Sequence, residues 1–210
     1  ASGGPFLNKS KNKKSNAVIS DVIKHPNWNM GHKISVDSAT LMNKLFELIE
    51  ASKIFNLPIN KFDIVIHPKS YVHALVNFKN GLSKILIHDT EMEIPIFNSI
   101  FYNTSETYKK NKDINFKNLN GKNFIKPSVS IFPFLQLIKK FKRNDSYYEI
   151  ILVTVNDYFV KKFLSGNINF QKMQIKLLKK LKDPYLTKYY NKYPKKINDI
   201  YMIVNKVKKY

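Results

Sequence analysis

Asp37-Ser38-Ala39-Thr40-Leu41-Met42-Asn43-Lys44-Leu45-Phe46-Glu47 is the stretch on which the reading of this chain turns. Ser38 is a good helix N-cap, and the spacing predicts a helix from Ala39 to about Phe55, stopped by Leu57-Pro58. Leu41, Leu45 and Leu48 form one apolar stripe, with Met42, Phe46 and Ile49 beside it. Asn43, Glu47 and Glu50 lie opposite, and Lys44 borders them. A helix N-terminus offers unpaired N–H groups and a partial positive charge, so it draws phosphate. Glu47 follows Asn43 by one turn, roughly 5–6 Å along the axis. A carboxylate so close to a phosphate repels it unless a divalent cation intervenes. The pattern therefore fits a short phosphorylated polyol or ketol, its anion at Lys44 and its oxygens on a metal held by Glu47. A cap followed by a solvated charged face is the alternative for the same residues.

Upstream, His25-Pro26-Asn27-Trp28-Asn29-Met30-Gly31-His32-Lys33 holds the lone tryptophan in a loop. An indole is costly to leave in water, so Trp28 either enters the core or closes over a ligand. Gly31 would supply the flexible or positive-φ position of a hinge. Ile34-Ser35-Val36 reads as a short extended stretch, and Ser20-Asp21 as the cap of a short turn ending near Pro26. Residues 7–20 are polar and read as loop or weak helix. Ser2-Gly3-Gly4-Pro5 is a tight turn able to meet an anion.

Downstream, Ile64–Ile66 is a buried-strand candidate ending at His67-Pro68. Tyr71–Phe78 and Leu82–His88 form a hairpin around Asn80-Gly81. A two-residue turn pairs Val76 with Ile85, Ala74 with Ile87 and His73 with His88. His67, His73 and His88 form a metal cluster or, more simply, hydrogen-bonded structural histidines. Glu93 to about Tyr102 reads as a helix; residues 103–130 read as irregular. Helices are expected at Phe132–Lys142, Ile150–Leu164, Phe170–Leu181 and Lys195–Lys208. The fold class is α+β: a mixed sheet with flanking helices in 1–104, a linker in 105–130, and a helical bundle in 131–210.

The 210 residues suffice for one or two domains with real cores. No apolar run is long enough to span a membrane. The absence of cysteine excludes disulfides and thiolate metal sites. A net charge of +21 raises a nucleic-acid partner as an alternative. Arg143 is the only arginine, however, and base readout favours Arg over Lys. The chain opens at Ala1-Ser2 without Met, as expected of a piece of a longer protein.

Several of these motifs, in order, resemble one family, the 1-deoxy-D-xylulose 5-phosphate reductoisomerases. They are Ala1–Phe6, His25–Lys33, the long run Ile34–Ala51, Ile66–His73 and Glu91–Pro95. The resemblance implies rearrangement and reduction of that sugar phosphate to 2-C-methyl-D-erythritol 4-phosphate. It also implies NADPH, Mg²⁺ or Mn²⁺, a homodimer, no nucleic-acid or membrane partner, and a bacterial cytoplasmic or plastid setting. By resemblance, Ser2, Ser38, Asn43 and Lys44 contact the phosphate and substrate, and Glu47 is the metal ligand contributed from this chain. His25, Trp28 and Met30 form the closing lid, with His25 on the substrate. Gly31 and Met92 face NADPH, and His73 lines the substrate site. Glu47, His25 and Lys44 are the catalytic set.

Three departures accompany the resemblance. The dinucleotide-binding domain and the Asp-Ser-Glu segment with the other metal ligands lie outside this chain, which alone should be inactive. Asn43-Lys44-Leu45-Phe46-Glu47 replaces the family's usual Asn-Lys-Gly-Leu-Glu. The C-terminal half matches only through Phe132–Leu137 and Val155-Asn156-Asp157. A degenerate scaffold that keeps the fold without its chemistry is a further alternative.

Overall fold

The computed structural model describes residues 1–7, 17–25, 28, 30–109, 113–120, 124–141 and 146–209. Of the stretch 7–20, expected as loop or weak helix, residues 8–16 lie outside the described residues, as do the loop positions 26, 27 and 29. In chain order the helices are α1 (Ile19–Ile23), α2 (His32–Thr40), α3 (Met42–Ile54), α4 (Glu93–Ile100), α5 (Phe116–Leu119), α6 (Tyr147–Leu164), α7 (Phe170–Lys180), α8 (Pro184–Thr187) and α9 (Ile197–Lys209). The strands are β1 (Val72–Asn77) and β2 (Ser83–Ile87). Two compact units result: Ala1–Ser2 with Val65–Lys126, and Gly3–Ile64 with Pro127–Tyr210. Packing, not chain order, groups the early helices α1–α3 with the C-terminal helices. No described helix is long and apolar enough to cross a membrane.

The decisive stretch folds differently from the sequence expectation. Ser38 caps nothing; it lies in the last turn of α2, and Ile34-Ser35-Val36 is helical instead of extended. The break comes at Leu41, which adopts the left-handed conformation (φ 59°, ψ 14°) and donates its N–H to the Ser38 carbonyl. A left-handed leucine costs about 1–2 kcal/mol. Full burial of its side chain, 2% exposed, holds it there. The Thr40 hydroxyl helps close the joint by accepting from the Met42 N–H at 3.3 Å. Two helices therefore replace the single expected one, because burial at Leu41 overrides the residue type usually found at such a cap.

The larger unit is built on α6. Its buried residues include Ile151, Leu152, Val155, Phe159, Val160 and Phe163, recurring at three and four. α7 and α9 pack along it, presenting Phe170, Met173 and Leu177, and Ile203 and Val207. Phe6 reaches this core from the first residues, its ring 5.2 Å from Phe170, which lies 5.6 Å from Phe163. Expected boundaries shift for local reasons. α6 starts at Tyr147, before Ile150, because Ser146 and Glu149 form a capping box, the Ser146 N–H donating to Glu149 Oε2 at 2.8 Å. The helix expected at Phe132–Lys142 is a 3-10 helix over Pro133–Lys140. There the buried Phe134 and Leu137, three apart, eclipse on one side as that tighter winding requires.

In the smaller unit β1 and β2 form an antiparallel pair whose register is one residue from expectation. Val76 faces Lys84 and Leu75 faces Ile85, not Val76–Ile85. The loop has three residues, Lys79-Asn80-Gly81: Phe78 donates to the Leu82 carbonyl at 2.9 Å, and Gly81 sits at φ 88°. A three-residue hairpin with a left-handed glycine is the common alternative to the two-residue turn, and it moves every pair by one. An irregularity between Val72 and Ala74 moves the pairing one residue further, so that Val72 faces Ile87. The Ile64–Ile66 strand reduces to one antiparallel bridge, Ile66 to Ile125.

One turn requires glycine. Gly4 has φ +63°, and a Cβ there would meet the Ser38 carbonyl oxygen at 3.0 Å and Ala39 Cα at 3.1 Å. Both neighbours are backbone and cannot move aside. Gly4→Ala is expected to destabilise the fold by about 1–3 kcal/mol, read as a lowered midpoint in urea unfolding.

Candidate functional site

The true start of α3 at Met42 moves the positive end of the helix onto the residues expected to act. Asn43 and Lys44 fall in its first turn, and no acid is there. Asn43 Nδ2 donates to Glu47 Oε1 at 2.8 Å, and the Lys44 ammonium donates to Glu47 Oε2. Amide, ammonium and carboxylate thus form one contiguous half-buried group on α3. Ser38 precedes it, on the far side of the Leu41 joint, at the C-terminal end of α2; no hydrogen bond of its hydroxyl is found among the described residues.

The loop residues precede α2 in the same unit. His25 Nδ1 accepts from the Trp28 N–H at 3.0 Å, which places the imidazole proton on Nε2. Burial lowers the His25 pKa from its ordinary value, so the ring is neutral at neutral pH. Trp28 and Met30 are half-buried and take no part in the core. Gly31 is extended at φ −60°, with open space where a Cβ would go, so this conformation makes no steric demand for glycine there. That corrects the positive-φ expectation.

Ser2, His73 and Met92 belong to the smaller unit. Ala1, beside Ser2, pairs with the segment before β1: His67 N–H donates to the Ala1 carbonyl at 2.7 Å. The expected His73–His88 pair forms, the rings stacked face to face at 3.5 Å and 1°. His73 Nε2 engages the His88 carbonyl at 3.0 Å, and His88 Nδ1 the Asp89 carbonyl at 2.6 Å, as structural histidines do. His67 is buried, and among the described residues its Nδ1 has no hydrogen-bond partner. Met92 is the 57%-exposed N-cap of α4. Among the described residues no three His, Asp or Glu side chains converge. A hard divalent ion suits the Glu47 carboxylate, yet its remaining donors would have to come from elsewhere.

Sequence inspection missed the group that holds α2 in place. Asp37 is 2% exposed; its Oδ1 accepts from Asn156 Nδ2 of α6 at 2.8 Å and its Oδ2 from Lys33 Nζ at 2.9 Å. Lys33 also reaches Asp157 of α6 at 3.1 Å. Burial raises the Asp37 pKa despite the opposing bonds from Asn156 and Lys33. The Lys33 pKa is also raised: burial opposes this, but the bonds and charges of Asp37 and Asp157 outweigh it. The two shifts agree physically, since the enclosed partner bears the desolvation while the half-exposed ammonium gains the attraction. A lone acid between Val36 and Ala39, both buried, was the only available signal.

Residues 1–55 match the profile of the 1-deoxy-D-xylulose 5-phosphate reductoisomerase C-terminal domain, and residues 88–210 that of the DXP reductoisomerase C-terminal domain. The chain belongs to the 1-deoxy-D-xylulose 5-phosphate reductoisomerase family. It is 48% identical over 200 residues to the reductoisomerase of Pelagibacter ubique (strain HTCC1062), covering 95% of this chain and 51% of that protein. It is 35% identical over 207 residues to that of Sulfurihydrogenibium sp. (strain YO3AOP1), covering 98% and 53%. The fold is similar to a crystal structure of a DOX-P reductoisomerase in complex with NADPH, fosmidomycin and magnesium. That likeness has a TM-score of 0.92 at 32% identity, over 100% of this chain and 52% of that one. It is also similar to the Zymomonas mobilis reductoisomerase in complex with NADPH (TM-score 0.83, 29% identity, 99% and 52% covered). The chain spans about half the length of these reductoisomerases. The expected α+β class with a helical C-terminal region holds.

Asp37→Ala is expected to cost about 2–3 kcal/mol, since it leaves Asn156 and Lys33 without their acceptor. The folded carboxyl binds its proton more tightly than the unfolded one, so stability from this group declines as pH rises just above the ordinary carboxylate range, then levels off. Asp37→Asn should abolish that decline, as read from urea midpoints between pH ~4 and ~7.

Proposed function

We propose that this chain is the catalytic and C-terminal portion of an enzyme that isomerises and reduces 1-deoxy-D-xylulose 5-phosphate to 2-C-methyl-D-erythritol 4-phosphate with NADPH. The carrying observation is the Asn43–Lys44–Glu47 group in the opening turns of α3. Lys44 and the helix N-terminus suit the anionic end of the substrate, with Asn43 and Ser38 as polar contacts. Glu47 would hold Mg²⁺ or Mn²⁺, a Lewis acid that polarises substrate oxygens when bound. In the structure Lys44 neutralises Glu47; a substrate phosphate would compete for that ammonium and free the carboxylate for a cation. Neutral His25, protonated on Nε2, suits a hydrogen-bond donor to the sugar phosphate. Trp28 and Met30, half-buried beside it, suit a lid that keeps water out, with Gly31 at the cofactor.

Relatives crystallised with NADPH, fosmidomycin and magnesium support the cofactor assignment. In the complete enzyme Glu47→Gln should lower kcat/KM and weaken Mn²⁺ binding by at least the ~10–100-fold that loss of a mere supporting partner of a metal ligand costs. Steady-state NADPH oxidation and a Mn²⁺ titration read the two effects; unchanged values for both would remove the role given to Glu47. An inactive parent enzyme would favour the degenerate scaffold.

A homodimer completes the proposal. The β1–β2 hairpin leaves Leu75, Val76, Ile85 and Leu86 each 40–59% exposed, an apolar surface that suits a second copy. Leu86→Lys should shift the enzyme towards monomer in light scattering, with helicity unchanged.

A further inference from the structure

A groove of about 820 Å³ lies between α6, α7 and α9, remote in sequence from the α3 group. Seven lysines line it, among them Lys176, Lys179 and Lys208, with Asp183 the lone carboxylate. Asp183 is already engaged, 3.7 Å from Lys180 and accepting from the Tyr185 N–H at 2.9 Å. Lysines near helix C-termini are ordinarily explained by the helix dipole, and this explanation falls short here. Three helix ends at roughly −0.5 each, with one carboxylate, supply about −2.5 against seven positive charges. An excess that large, converging on one concavity, is complementary to a polyanion.

The wall beside these charges is aromatic. Tyr158 is 48% exposed, its ring backed edge-on by Phe159 at 5.1 Å and crossed by the Lys162 ammonium at 4.7 Å. Buried Val155 and Val207 form the floor. The volume lies within the ~300–1,000 Å³ of small-molecule sites. The cations are all lysines, which take phosphate as point charges without the forked geometry that reads bases. We propose that this groove binds a small multiply phosphorylated ligand bearing an aromatic group, of the nucleoside polyphosphate class, with the phosphates on the lysines and the flat group on Tyr158.

The test uses the complete enzyme with NADPH saturating, so that its own site is filled, and with divalent ions chelated. Tripolyphosphate and ATP are titrated calorimetrically at ~0.15 M salt. Both should bind. Lys176→Glu/Lys179→Glu should weaken both by about tenfold or more. Lys195→Glu/Lys196→Glu, an equal charge change outside the groove, should stay within about twofold. Tyr158→Ala should weaken ATP about fivefold while sparing tripolyphosphate. Circular dichroism checks folding, and Lys208→Gln/Lys209→Gln repeats the test if the first pair does not fold. No binding by the parent, equal losses in both charge-reversal pairs, or tighter binding of an oligonucleotide than of ATP would each overturn the proposal.

Discussion

A carboxylate enclosed by protein must be answered by donors, and the seam between α2 and α6 is arranged around that requirement at Asp37. Leaving such a group without partners costs several kcal/mol. Asn156 meets one oxygen and Lys33 the other, and Lys33 continues to Asp157. Because Asp37 immediately precedes Ser38 and lies one turn before the Leu41 joint, its anchoring sets the end of α2. That end in turn sets where α3 begins and which residues meet its positive pole. Gly4 secures the same segment from the other side, its backbone lying against the Ser38 carbonyl.

The first turn of α3 breaks two local rules. It opens from a left-handed leucine with no side-chain cap, and it carries a lysine with no acid at the positive end of the helix. A cation there is unfavourable by about 0.3–1 kcal/mol. Glu47, one turn on, compensates by pairing with Lys44. Departures of this kind concentrate where function constrains sequence, and here they fall on the residues that carry the proposed chemistry.

Much of this was legible in the residues. The apolar stripe of α3 is buried at Leu45 and Leu48, and the adjacency of Asn43, Lys44 and Glu47 follows from helical spacing alone. The hairpin and the four longer helical segments were likewise visible as periodicity. The Leu41 break was not, because a left-handed leucine leaves no glycine or asparagine to mark it. Hairpin register escaped for a related reason: Lys79-Asn80-Gly81 serves two- and three-residue loops alike, and only the backbone geometry distinguishes them. The Asp37 clamp joins residues 119 apart in the chain, which no local pattern reveals.

The C-terminal helices are drawn into the same logic. Read from the residues alone, two short places there resemble the reductoisomerases, Phe132–Leu137 and Val155–Asp157, within a family match that runs over residues 88–210. The first lies largely in the 3-10 helix that packs on α3, and the second supplies the two side chains gripping Lys33 and Asp37 of α2. A helical region serving only as an appendage would hold its most recognisable residues in its own interior. Here they lie where the bundle meets the helices that carry Ser38, Asn43, Lys44 and Glu47. The bundle therefore acts on the candidate site mechanically, by fixing how α2 ends and how α3 packs, while its lysine-rich outer groove is left to a separate purpose.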